Sequence, residues 1–124
     1  MEEEIARAAY QCALKVHRRL GPGLFESAYE ECFAYELTKA NIFYERQKVL
    51  PLVYEDIHLD MGYRLDFLIE QKVIFELKCM ETLKDVHAAQ LLTYLRLTDC
   101  KLGLLLNFNV ILLKDGIKRV VNNL

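Results

Sequence analysis

The sequence has no apolar run long enough to cross a bilayer. A spanning helix takes about 20 apolar residues, and the longest apolar stretches here are short and interrupted. It also lacks a basic leader. Met1-Glu2-Glu3-Glu4 is acidic, whereas a secretory signal begins with positive charge, so a cytoplasmic protein without membrane contact is the expectation. No long Ser, Gly, Pro or like-charge tract marks a linker or disordered tail, and there is no internal repeat. None of the cysteines Cys12, Cys32, Cys79 and Cys100 stands in a CxxC pair, which argues against zinc. All four lie inside apolar patterns and read as reduced core residues. A Gly-rich phosphate loop is missing, and no local motif supports a Ser-His-Asp or Cys-His arrangement. Net positive charge is missing too. The formal charge is −2, so composition does not announce a nucleic-acid binder. The clusters Lys15, Arg18, Arg19 and Lys114, Lys118, Arg119 read as solvated faces.

What the chain does have is a core. Of its 124 residues, 53% are hydrophobic, which suits a single domain over residues 1–124. Ile5, Ala9, Cys12, Val16 and Leu20 recur at helical spacing, and Gly21-Pro22-Gly23 ends that helix. A second helix is predicted from about Leu24 to Ala40, with Phe25, Ala28, Tyr29, Cys32 and Phe33 on its apolar face. Glu26 shares a stripe with Tyr29, Phe33 and Leu37, which sets it at the edge of the buried face. Gln47–Tyr54 reads as a strand, and Pro51 suggests an edge position. Tyr63–Glu70 and Val73–Met80 alternate as two half-buried strands joined near Gln71. Residues 83–97 read as a third helix with Val86, Ala89, Leu92 and Leu95 inward. Leu102–Leu106 reads as a central strand. Val110–Leu113, a turn at Asp115-Gly116, and Ile117–Val121 read as a closing hairpin. The order is ααβββαβ plus a C-terminal hairpin, an α/β domain with a mixed sheet flanked by helices.

Chemistry concentrates between Asp66 and Lys78. Glu76 and Lys78 are two apart on a strand and project from one face. Whether Asp66 joins them depends on the turn. Asp66 lies opposite Glu76 only if Ile69 pairs with Val73, which leaves Glu70-Gln71-Lys72 as a three-residue loop. A two-residue loop sends Asp66 to the other face. In the converging register two carboxylates sit about 5 Å apart and repel. A divalent cation resolves that conflict. Mg²⁺ takes oxygen ligands and keeps several waters, so the two carboxylates and a backbone carbonyl, that of Leu77, suffice. Lys78 beside them can orient an attacking water or offset charge on a phosphoryl group. The competing reading is a surface carboxylate pair salt-bridged to Lys78. By itself D…ExK is a weak pattern.

Longer motifs add to it. His17-Arg18-Arg19-Leu20-Gly21-Pro22-Gly23-Leu24-Phe25-Glu26-Ser27-Ala28-Tyr29 resembles the signature of the bacterial and archaeal GxxExxY proteins, with Gly23, Glu26 and Tyr29 at its named positions. The likeness continues through Gly62–Asp66, Glu76–Lys78, His87–Tyr94 and Leu102–Phe108. That family is assigned to the PD-(D/E)xK superfamily, so the resemblance implies a restriction-endonuclease-like core. It also implies a Mg²⁺- or Mn²⁺-dependent nuclease acting on nucleic acid; the resemblance supplies no substrate, and DNA is the first expectation, RNA the second. Asp66, Glu76 and Lys78 match the motif acids and lysine, and Glu26 resembles a helical acid that some members add to the metal shell. Gln90 and Tyr94 resemble the QxxxY motif of the RecB-like branch. Leu65 replaces the motif proline. A homodimer is a further expectation, since small enzymes of this fold often dimerise. The alternative is a non-catalytic nucleic-acid- or protein-binding module that keeps the fold. Hydrolysis of a small phosphodiester is a third reading. Tyr29 reads as core, Gly23 as a backbone necessity, and His17 as packing near the Gly-Pro-Gly turn. His87 reads as a surface residue, and His58 as part of a polar turn.

Overall fold

Three acidic residues open the first helix and His17, Arg18 and Arg19 close it, the arrangement that suits a helix dipole. The structure is a computed structural model describing residues 1–124, the side chain of Met61 excepted. Helix α1 (Glu2–Leu20) buries Ala6, Ala9, Cys12, Ala13 and Val16 along one stripe. Gly21 ends it with φ 67°, in the left-handed region that glycine tolerates. Helix α2 (Glu26–Lys39) buries Tyr29, Phe33 and Leu37 completely. Phe25, expected on that apolar face, is instead 85% exposed. It is the N-cap with extended backbone, so the stripe begins a turn later, at Tyr29.

The sheet runs β1 (Tyr44–Tyr54), β2 (Ile57–Ile69), β3 (Val73–Lys78), β4 (Leu102–Asn107) and β5 (Ile117–Val121), in that spatial order. β3 and β4 are parallel and every other neighbouring pair is antiparallel. Pro51 lies on an edge strand, as its missing N–H demands, and the β1–β2 register shifts between Leu50 and Leu52. β2 runs back further than alternation predicted, to a tight turn at Glu55-Asp56. His58 therefore sits in a strand opposite Val53 rather than in a polar turn.

Helix α3 (Asp85–Thr98) makes the crossover from β3 to β4. It is rotated relative to the sequence expectation. Leu91, Tyr94 and Leu95 face inward, whereas Val86 is 65% exposed and Ala89 is exposed. Apolar residues ring much of this helix, so several stripes were available and packing against the sheet selected one. The other correction concerns the C-terminal hairpin. Val110–Leu113 is not a strand. A 3₁₀ turn, Leu113–Gly116, leads into β5, which pairs with β4. Leu113 is buried in the core, and a Cβ on Gly116 would meet the Asn107 carbonyl oxygen at 2.3 Å. The segment is pressed onto the end of β4 and cannot lie out as a strand.

Two cores result. α1 and α2 cover Phe67, Ile69, Phe75, Leu77, Leu104 and Leu106. α3 covers Leu65, Leu68, Ile74 and Leu105 on the opposite face. β4, buried throughout, is the central strand expected.

Candidate active site

The β2–β3 hairpin uses the three-residue loop. Ile69 pairs with Val73, Leu68 with Ile74 and Phe67 with Phe75. Glu70 and Gln71 take left-handed backbone at φ 51° and 60°, and the Lys72 N–H closes the loop on the Ile69 carbonyl at 3.0 Å. The next position in that register sets Asp66 against Glu76.

There the ladder opens. Leu65 packs in the α3-side core and Phe67 in the α1/α2-side core, although strict alternation would keep both on one face. The phase is lost at Asp66. β1 breaks at the same level: its ladder with β2 passes from Arg46–Phe67 to Lys48–Leu65, and the skipped residue, Gln47, has φ 51°. Side chains fill the gap. The Asp66 N–H donates to Glu76 Oε2 at 2.6 Å, and the Leu77 N–H donates to Asp66 Oδ2 at 2.8 Å. Each carboxylate thus accepts a hydrogen bond from the other strand's backbone.

The charges are costly. Glu76 is 3% exposed. Burial first, and then the Asp66 carboxylate, push its pKa up to about 8, against the Asp66 amide and Lys78. Burial also raises Asp66, opposed by the Leu77 amide and Lys78. Glu26 is raised by burial and then by Asp66, opposed by Lys78 and the Cys79 amide. Its carboxylate therefore faces this region from α2. A cavity of about 120 Å³ is lined by Glu26, Ser27, Glu30, Gln47, Asp66 and Leu77.

A family model described as the PD-(D/E)XK nuclease superfamily matches residues 3–120. The chain belongs to the PD-(D/E)XK nuclease superfamily. No curated protein and no solved structure matches.

Nucleases of this superfamily generally use divalent metal ions. Among the described residues, no group of three or more His, Cys, Asp or Glu is arranged to hold a metal. Mg²⁺ and Mn²⁺ need few protein oxygens and keep several waters. The donor set fits such an ion: the buried Glu76 carboxylate beside the half-buried Asp66 carboxylate, both pushed up by burial and Glu76 further by Asp66, a strain that a cation would relieve.

The remaining candidates divide. Tyr94 is buried, and its hydroxyl is raised by burial and then by Glu76 and Asp66, so it faces the acids. Gln90 is exposed, and no hydrogen bond joins it to them among the described residues. The two share a cavity of about 250 Å³ with Leu52, Tyr63, Thr93 and Leu97. Lys78, half-buried, ends β3 opposite Asn107. Tyr29 and His17 are structural. Tyr29 donates its hydroxyl hydrogen to the Gly21 carbonyl, accepts the Leu24 N–H and stacks on Phe108 at 4.6 Å. His17 Nε2 lies 3.1 and 2.8 Å from the Phe108 and Val110 carbonyls, so it must carry a hydrogen there. His87 Nδ1 accepts the Lys84 N–H at 3.1 Å at the start of α3.

Sequence reasoning missed Asn107 and Gln47. Asn107 is buried. Its Nδ2 donates to the Met80 carbonyl at 2.8 Å and its Oδ1 accepts the Met80 and Asn109 N–H groups, which pins the chain just past Lys78. A polar residue ending the otherwise apolar Leu102–Asn107 run was its available signal. For Gln47 no signal existed, because its role depends on a backbone break.

Proposed function

We propose that this protein is a Mg²⁺- or Mn²⁺-dependent nuclease of the GxxExxY group that hydrolyses phosphodiester bonds of nucleic acid, DNA before RNA. The observation that carries this reading is the opened ladder at Asp66 and Glu76. Regular pairing is given up where the buried Glu76 carboxylate meets the half-buried Asp66 carboxylate, an arrangement without benefit to a purely structural domain. Gly23, Glu26 and Tyr29 supply the group's signature.

In this reading Asp66 and Glu76 hold the ion with the Leu77 carbonyl, assisted by Glu26. The ion, when bound, supplies Lewis acidity and neutralises charge at the phosphoryl oxygens. Lys78 orients the attacking water and offsets negative charge on the phosphoryl group. The water oxygen bonds to phosphorus and gives up a proton to solvent, the ester bond to the leaving oxygen breaks, and that oxygen takes a proton from solvent. Tyr94 is a neutral phenol, as any tyrosine is near neutral pH, and so can donate to a phosphate oxygen. Gln90, exposed and lining the neighbouring cavity, meets the substrate rather than the acids.

A second reading, a non-catalytic binding module, draws on the acidic surroundings. Glu26 and Glu30 flank the site, and cations from both basic clusters pair with acids, as in Lys15–Glu36 and Arg119–Glu3. Labelled single- and double-stranded DNA and RNA, incubated with Mg²⁺, Mn²⁺ or chelator, separate the two. Cation-dependent cleavage should fall by at least about 100-fold in Asp66→Asn, Glu76→Gln and Lys78→Ala. Binding without cleavage, equal in parent and variants, would establish the module instead.

A further inference from the structure

We infer that Gln47 is a positioning residue whose side-chain amide, aimed by a left-handed backbone turn in mid-strand, fixes the Asp66 carboxylate for cation binding. The inference deepens the proposed function and rests on it. Gln47 lies inside β1, yet its φ is 51° and it makes no ladder pair with Asp66, the residue opposite. Left-handed backbone at a non-glycine residue is costly and persists where the surroundings require it. What Gln47 gains is contact. Its Nε2 donates to Asp66 Oδ1 at 3.2 Å and to the Glu30 carboxylate. Both partners are acceptors, so the amide must present its NH₂, and one hydrogen serves each.

The Asp66 carboxylate is therefore held at both oxygens, Oδ2 by the Leu77 N–H and Oδ1 by Gln47. Glu30 is anchored in turn, since Arg46 Nη2 lies 3.2 Å from its Oε2. The chain Arg46–Glu30–Gln47–Asp66 ties α2 to the acid pair without placing a cation on Asp66 itself. Gln47 is neutral, so it orients the carboxylate without competing for its charge. A lysine or arginine in its place would neutralise the group that a metal needs.

Gln47→Gly tests this, because glycine takes φ 51° without steric strain and removes the side chain. Gln47→Asn is the conservative partner, since asparagine also tolerates that backbone and keeps an amide. Mn²⁺ binding to the protein alone is read from the resonance of free Mn²⁺, melting is followed in chelator, and cleavage of labelled DNA is followed at saturating Mn²⁺. Gln47→Gly should melt no lower than the parent in chelator, yet need about 10-fold more Mn²⁺ for half-occupancy. Its kcat should fall with KM for DNA unchanged, and Gln47→Asn should recover part of both losses. A Gly variant with the parent's Mn²⁺ midpoint overturns the inference. So does one that melts lower without metal while its midpoint stays put, which is a structural role. If the Gly variant does not fold, Gln47→Met, of similar length but without the amide, decides on the same midpoint criterion. A parent that neither binds Mn²⁺ nor cleaves removes the proposed function, and this inference with it.

Discussion

β3 has two unlike borders. Toward β4 its pairing is unbroken from Val73–Leu102 to Lys78–Asn107. Toward β2 it stops after Phe67–Phe75, and the next amides turn to carboxylates. On the first border backbone satisfies backbone, and side chains are free to be apolar on both faces. On the second, the opened strands leave donors that only side chains can satisfy, and the side chains that arrive are acidic. One strand thus serves as scaffold along one edge and as candidate site along the other. Lys78 and Glu76 owe their placement to the regular edge, and Asp66 owes its own to the irregular one.

The scaffold edge should be the more fragile toward truncation. Phe75 is fully buried and stacks on Phe33 at a centroid distance of 5.6 Å. Phe75→Ala is expected to cost about 3–5 kcal/mol through lost burial and a residual cavity, read as a fall in the denaturant midpoint at constant m. A loss below about 1 kcal/mol would mean that the regular edge is not what holds β3.

The site edge should respond to pH in the opposite sense to an ordinary carboxylate. Glu76 has a folded-state pKa of about 8 against an ordinary 4.5. Between those values the native state holds more protons than the unfolded one, so stability falls as pH rises. Metal-free protein should therefore lose stability from about pH 5 to pH 8, on the order of a few kcal/mol. Asp66, also raised, acts in the same direction. Glu76→Gln keeps an acceptor for the Asp66 N–H and should flatten the profile. A parent profile that is already flat would show that the pair is not strained by its charge.

Removing the other acid distinguishes a cation site from a salt bridge. Asp66→Asn should lose cation-dependent cleavage yet melt no lower in chelator. Mg²⁺ or Mn²⁺ at about 100 times its Kd should stabilise the parent by about 2.7 kcal/mol, and the variant far less. A variant that melts lower while neither protein responds to metal would identify Asp66 as a structural partner of Lys78.

How far these edges were legible in the sequence follows the same division. Alternation along Val73–Met80 and the apolar run Leu102–Leu106 marked β3 and β4, and the hairpin adopts the three-residue loop that convergence of Asp66 and Glu76 required, one of the two loop lengths that the sequence left open. The phase break at Asp66 left no trace, because it depends on left-handed backbone at Gln47, a residue type that gives no such warning. Rotation of α3 was hidden by apolar residues on several sides of it. The closing hairpin failed because Val110–Leu113 reads as a strand locally, while His17 takes the Val110 carbonyl and the core takes Leu113. Those contacts join residues about ninety positions apart, out of reach of local pattern.

The smallest effect belongs to a residue that the motif singles out and the structure assigns to the scaffold. Tyr29 sits in the GxxExxY-like stretch beside Glu26, which invites a catalytic role, yet its hydroxyl bonds the Gly21 carbonyl and the Leu24 N–H. Those bonds close the Gly-Pro-Gly turn and so set where α2 begins, and with it where Glu26 stands. Tyr29→Phe keeps the ring stacked on Phe108 and removes only the hydroxyl. The expected loss is about 1 kcal/mol, the net worth of a hydrogen-bonded hydroxyl when a partner is left unsatisfied. The Mn²⁺ midpoint should not change, and kcat should stay within about threefold of the parent, since a turn loosened by that amount moves Glu26 little. A variant with parental melting and abolished cleavage would instead put the Tyr29 hydroxyl at the reacting phosphate, and α2 would then belong to the site rather than to its frame.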